Sequence, residues 1–120
     1  MHGVAAAAFA TFLGFARRPD GHATLFVELS QKVAVAEAHT SGKLIYKLAG
    51  VSAPDRVVRL PILTSTFGIP VSSARLVQTK EGVDLVVDIA SQAHGAVRFV
   101  EMGRGAWFVV EVSGGAVELH

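Results

Sequence analysis

Residues able to do acid–base, nucleophilic or metal chemistry are present in this chain but dispersed. The histidines are His2, His22, His39, His94 and His120. No two stand two or four residues apart, so the spacings that place two imidazoles on one metal ion are missing. Cysteine is absent, which removes thiolate ligands, thiol nucleophiles and disulfides. A serine nucleophile needs a base and an orienting acid beside it. No G-x-S-x-G occurs, and Ser72-Ser73 has no local base. Asp84 and Asp88 are the nearest acids of shared parity on one strand. Four residues at about 3.3 Å each separate them by about 13 Å, wider than a glycosidase carboxylate pair. Gly103-x-Gly105 and Gly114-Gly115 do not lie between a strand and a helix, so they read as β-turns rather than phosphate loops. No catalytic residue, metal site or cofactor is predicted, and a hydrolase is the least supported function class.

Two kinds of side chain remain for binding. Arg17, Arg18, Lys80 and Arg104 are cations in or beside turns, and each also reads as a simple solvated residue. Trp107, the only tryptophan, lies in an apolar run. It reads as core, or, if exposed, as a platform for a sugar ring. Tyr46 carries the same ambiguity and has a hydroxyl to satisfy.

These residues are positioned by a chain of 120 residues, the size of one domain, half of it hydrophobic. Such a composition opposes disorder. Formal net charge is +1 with acids and bases interspersed, so the clustered Lys and Arg of a nucleic-acid footprint are missing. The apolar stretch Met1–Ala16 lacks the basic start of a signal peptide and is short for a membrane span. No membrane insertion is expected. The expectation is a domain cut from a longer precursor, the alternative a cytoplasmic chain.

Period-two alternation dominates. Phe9, Thr11, Leu13 and Phe15 share one parity, predicting a strand over 9–17. Pro19-Asp20-Gly21 is a turn by residue type, and 22–29 returns as a hairpin. Val33 and Val35 favour a strand over 33–39, although its alanines and Glu37 also suit a helix. Further strands are predicted over 44–48, 55–60, 71–78, 83–89, 96–102 and 106–112. The run Ala106–Val112, apolar on both parities, suggests a strand covered on both sides or a subunit interface.

The chain also answers itself. Leu25, Val27 and Leu29 map onto Leu85, Val87 and Ile89 at one constant offset, each set preceded by a glycine-ending turn. Val33, Val35 and Glu37 match Val97, Phe99 and Glu101, with the extra length placed in the 91–95 loop. Leu44-Ile45-Tyr46 then answers Trp107-Phe108-Val109. The prediction is an all-β single domain spanning 1–120. It is a β-sandwich of two meander-like halves, roughly 9–50 and 71–114, with pseudo-twofold internal duplication and the apolar faces of the two meanders packed together.

The arrangement Gly21-x-x-x-Leu25-Phe26-Val27-Glu28-Leu29, then Val33-x-Val35, then Gly42-x-Leu44-Ile45-Tyr46-x-Leu48-Ala49-Gly50, resembles the AMIN domain. The strands 83–89 and 106–112 look like that family's second set, and the resemblance covers about residues 9–113. It implies a non-catalytic module of periplasmic proteins such as cell-wall amidases and pilus secretins. Such a module binds peptidoglycan and places its host protein in the cell envelope.

On this reading peptidoglycan is the partner. Arg17, Arg18 and Lys80, in the two equivalent hairpin turns, and Arg104 are expected to meet the stem-peptide carboxylates. The rival expectation is a structural or interaction domain that joins host-protein domains or a second copy through the apolar strand Ala106–Val112.

Overall fold

The computed structural model describes residues 8–18, 22–40, 42–63, 71–89, 93–103 and 105–113. Ten strands are formed, with no helix among the described residues: β1 (Ala8–Arg17), β2 (Ala23–Leu29), β3 (Val35–Thr40), β4 (Lys43–Ala49), β5 (Val51–Ser52), β6 (Ile62–Leu63), β7 (Val71–Gln78), β8 (Gly82–Ile89), β9 (His94–Met102) and β10 (Gly105–Ser113). Among these residues no helix is long and apolar enough to cross a membrane.

The strands build two packed sheets, a β-sandwich, as the alternation predicts. Sheet I has the order β5-β1-β2-β10-β9, and sheet II the order β3-β4-β8-β7-β6. The halves of the chain are therefore not the sheets. Each half gives one hairpin to each sheet, because the 30–34 connection carries the chain across after β2. Alternation says which face of a strand is apolar but not which strand lies beside it.

Relabelling β1 as β7, β2 as β8, β3 as β9 and β4 as β10 turns the order of four strands in one sheet into that of the other, whereas the flanking strands differ, β5 pairing β1 in parallel and β6 pairing β7 antiparallel. Register supports the same exchange and corrects part of the expected match. Tyr46 pairs with Leu85 and Glu37, while Val110 pairs with Leu25 and Val97. Since Leu85 answers Leu25, Tyr46 answers Val110, not Val109, and Glu37 answers Val97, not Glu101. The added length lies in the longer β9–β10 hairpin rather than in the 91–95 loop. A bulge recurs as well: Thr11 is the extra residue between Ala10 and Phe12, and Ser72 between Val71 and Ser73.

The bulge at Thr11 also reverses the expected parity of early β1. Ala8 and Ala10 are buried, whereas Phe9 is 46 % exposed. The expected strand over 55–60 is instead three overlapping turns, opened by the Asp55 carboxylate accepting from the Val57 amide at 2.9 Å.

Leu25, Val27 and Leu29 with Phe108, Val110 and Val112 line the inner face of sheet I. Leu44, Tyr46 and Leu48 with Val83, Leu85 and Val87 oppose them from sheet II. Tyr46 meets Phe108 edge-on at 5.7 Å between centroids. Each fully buried large side chain contributes about 1.5–3 kcal/mol through the area it removes from water. Gln78 ties β5 to the β7–β8 turn. Its amide oxygen accepts from the Ala53 amide at 2.8 Å, and its nitrogen donates to the carbonyls of Val51 (3.2 Å) and Gly82 (2.8 Å).

Candidate binding face on sheet I

The inner face uses alternate residues, so the residues between them look outward. On sheet I four outward residues are aromatic, Phe9, Phe12, Phe26 and Trp107, and the last three cluster. Cross-strand pairing lays out one row as Phe12, Glu28, Trp107 and Val100, and the next as Gly14, Phe26, Val109 and Arg98. Phe26 stacks beside Phe12 at 6.0 Å and meets Trp107 edge-on at 5.3 Å; Phe12 and Trp107 are 6.2 Å apart. Phe12 is 46 % and Val100 38 % exposed. Gly14 is the floor of the cluster: a Cβ there would stand 2.7 Å from ring carbons of both Phe12 and Phe26. Phe26, Val100, Trp107 and Val109 together line an open, wholly apolar depression. Directly opposed residues in a sheet have Cβ atoms about 4.5–5.5 Å apart, so Glu28 is held between Phe12 and Trp107.

The patch continues past β1. Phe12 also borders a hollow beneath the 55–62 segment, shared with Thr11, Asp55, Val57 and Leu60. Val57 and Leu60 are exposed. Arg59 fixes this segment by donating from Nε to the Ala53 carbonyl at 2.9 Å.

A polar row closes the other side of the face. Thr24 Oγ1 donates to Glu111 Oε1 at 2.9 Å, and Arg98 Nη1 to Glu111 Oε2 at 3.0 Å. These two hydrogen bonds, Arg98 first, hold the Glu111 carboxyl below the usual range.

The outer face of sheet II is built differently on the same frame. The row that answers Phe12, Glu28, Trp107 is Ser73, Asp88, Lys43. Lys43 Nζ lies 2.5 Å from Asp88 Oδ1, and Ser73 Oγ donates to Asp88 Oδ2 at 2.6 Å. The lysine bond and then the serine bond lower the Asp88 pKa.

The expected binding residues do not converge. Arg17 and Arg18 stand at the far end of β1, where the Arg18 amide donates to the His22 carbonyl at 2.9 Å. Lys80 lies in the β7–β8 turn, whose Glu81 carbonyl accepts from the Gly50 amide at 2.8 Å, while the Gly50 carbonyl accepts from Ala8 at the start of β1. A ten-residue strand separates the two turns, about 30 Å at the usual rise. The exchange that makes the turns equivalent also sends them to opposite ends. Arg104 lies outside the described residues.

Trp107 and Tyr46 resolve in opposite senses. Tyr46 is core, 2 % exposed. Burial, and secondarily the charge of Glu37, push its phenol up to about 12. Trp107 is half-buried on the outer face. Pairing through the edge of Ala106–Val112 is not open, because β10 lies between β2 and β9. Only its outward side chains can meet a partner.

Phe12, Phe26, Glu28 and Val100 were not anticipated as site residues. Phe26 between Leu25 and Val27, and Trp107 between Ala106 and Phe108, carry the usable signal: an aromatic on the parity opposite the buried one. Ser113 Oγ and His94 Nε2 lie 3.3 Å apart across the exposed end of β9–β10. Among the described residues no acid bonds the second ring nitrogen of His94, and no three His, Asp or Glu side chains gather to hold a metal.

The fold is thus a two-sheet β-sandwich with one aromatic outer face and one ion-paired outer face. No protein-family model matches the chain, and neither a curated protein nor a solved structure is similar to it.

Proposed function

We propose that the chain is a non-catalytic, AMIN-like module of the bacterial cell envelope, formed by internal duplication, that binds peptidoglycan and localises the protein that carries it. The outer face of sheet I is its binding face. The observation that carries this reading is the cluster of Phe12, Phe26 and Trp107, set outward over Gly14 and bordered by Val100 and Val109. Aromatic rings offer flat apolar area at low conformational cost, to which the C–H faces of sugar rings are complementary. Polar groups at the border, Glu28 and the Thr24–Glu111–Arg98 chain, supply hydrogen bonds to hydroxyl and amide groups.

Retention on insoluble peptidoglycan at low salt tests the reading. Wild type and Lys47→Ala, altered on the other outer face, are expected to be retained. Phe12→Ala/Trp107→Ala is expected to be washed away. Loss of the Arg17→Ala/Arg18→Ala/Lys80→Ala variant alone would move the site to the turns. Failure of folded wild type to be retained would overturn the function.

A second reading, an interaction domain, is favoured by the exposed Val57 and Leu60 at the hollow beside Phe12. Apolar patches of that kind mark protein contacts. It predicts a stable complex with a host domain and no retention on the glycan.

A further inference from the structure

The two outer faces carry the same row of positions, and one of them shows how its acid is satisfied. In sheet II, Asp88 receives the Lys43 ammonium on one oxygen and the Ser73 hydroxyl on the other. In sheet I, Glu28 stands where Asp88 stands, but Trp107 replaces the lysine and Phe12 the serine. Among the described residues the only hydrogen bond to the Glu28 carboxylate comes from Thr11 Oγ1, at 3.2 Å on Oε1. No described cation pairs with it; Arg98, on the neighbouring row, is engaged by Glu111. The described residues therefore supply a carboxylate between two aromatic rings without the cation that completes the row.

We infer that the missing cation belongs to the ligand: the face binds the primary ammonium at the end of a diamino-acid side chain in a peptidoglycan stem peptide. This rests on the peptidoglycan reading above and names the group recognised. The chemistry suits both parts of such a side chain. Its methylenes lie along the apolar faces of Trp107 and Phe12. Its ammonium meets the Glu28 carboxylate in a charge-assisted hydrogen bond, reinforced by the π-faces alongside. An amine bonded to its neighbour by cross-linking is neutral and loses both attractions, so the face selects uncross-linked stems.

Soluble muropeptides with the side-chain amine free or acetylated, titrated against the whole chain by calorimetry, test the inference. Wild type is expected to bind the free amine about tenfold more tightly, the lower range for a hydrogen bond to a charged group. Glu28→Gln is expected to bind both forms alike, at the affinity of wild type for the acetylated form. Trp107→Lys rebuilds the sheet II row within the chain and is expected to lose the preference through an internal ion pair. Equal binding of both forms by wild type, or a preference that survives Glu28→Gln, would overturn the inference and leave the peptidoglycan reading standing. Binding of neither form by folded wild type would remove that reading and this inference with it.

Discussion

The phenol oxygen of Tyr46, on sheet II, fills the space that a side chain at Gly95, on sheet I, would occupy. The same missing Cβ would also stand 3.1 Å from Leu44 Cδ1 and 3.3 Å from Val110 Cγ1. Close packing of the sheets thus depends on one edge-strand glycine. Gly95→Ala is expected to destabilise the fold by about 1–3 kcal/mol, the range for overpacking a filled core. Denaturant unfolding measures it, and Tyr46→Phe in the same chain is expected to recover part of the loss. Gly42→Ala is the contrast. Nothing crowds that position, but its φ of 80° strains an L-residue, at about 1–2 kcal/mol.

Tyr46 also makes the alkaline limb of stability predictable. It is the only tyrosine, so its titration is free of overlap. Burial raises the phenol from the usual 10.0 to about 12. The folded state therefore keeps the proton at pH values where the unfolded state has released it. Its contribution is complete below pH 10 and declines as pH rises towards about 12. Phenolate absorbance is expected to appear well above the usual pH, and Tyr46→Phe to remove this contribution from the high-pH decline. A phenolate titrating near pH 10 in the folded chain would contradict the packing.

The acid limb is expected to depend on Asp88. Its carboxyl is lowered by Lys43 first and then by Ser73. The associated stability is present above the usual carboxylate range and is lost as pH falls through the lowered value. The side chains are 43 % (Lys43) and 27 % (Asp88) exposed, so solvent screens the pair. Asp88→Asn is then expected to cost about 0.5–1 kcal/mol at neutral pH and to flatten the acid decline. Urea unfolding from pH 7 to pH 2 checks both.

How far this architecture was legible in the sequence follows from what alternation can specify. Leu25, Val27 and Leu29 announce a buried face by themselves, and so do Leu85, Val87 and Ile89; all six are buried. Alternation is unchanged by a shift of two residues, however, so Glu37 could be matched to Glu101 although pairing places it opposite Tyr46 as Val97 is placed opposite Val110. A shift of one residue reverses the face. Matching Leu44 to Trp107, rather than to Phe108, hid the outward direction of the tryptophan. The bulge at Thr11 did the same for Phe9, which shares the parity of buried Leu13 in the sequence but looks outward. Neither slip violates local propensity; long-range pairing decides both. Arg17 and Lys80 illustrate the remaining gap: a resemblance between two hairpin turns can be read from sequence, but their nearness depends on long-range pairing, which places them at opposite ends of β1.

Trp107 and Phe108 are neighbours in sequence with opposite fates, and this gives the sharpest check on the register of β10. Phe108 is fully buried, between Tyr46 and Phe99 at 5.7 and 5.3 Å. Among the described residues Trp107 keeps ring contacts only with Phe12 and Phe26, on the outer face. Phe108→Ala is expected to cost about 3–5 kcal/mol, as for other buried aromatic truncations. Trp107→Ala is expected to cost about 1–2 kcal/mol, since two aromatic pairs at about 0.5–1.5 kcal/mol each are lost without opening an internal cavity. Thermal or urea unfolding of the two variants measures the difference. Fluorescence gives an independent reading, because this is the only tryptophan. Its emission is expected to be quenched by acrylamide in the native chain and to be protected when the face is occupied. A native emission shielded from quencher, together with a larger stability loss for Trp107→Ala than for Phe108→Ala, would mean that β10 is shifted by one residue. The aromatic binding face would then point into the core.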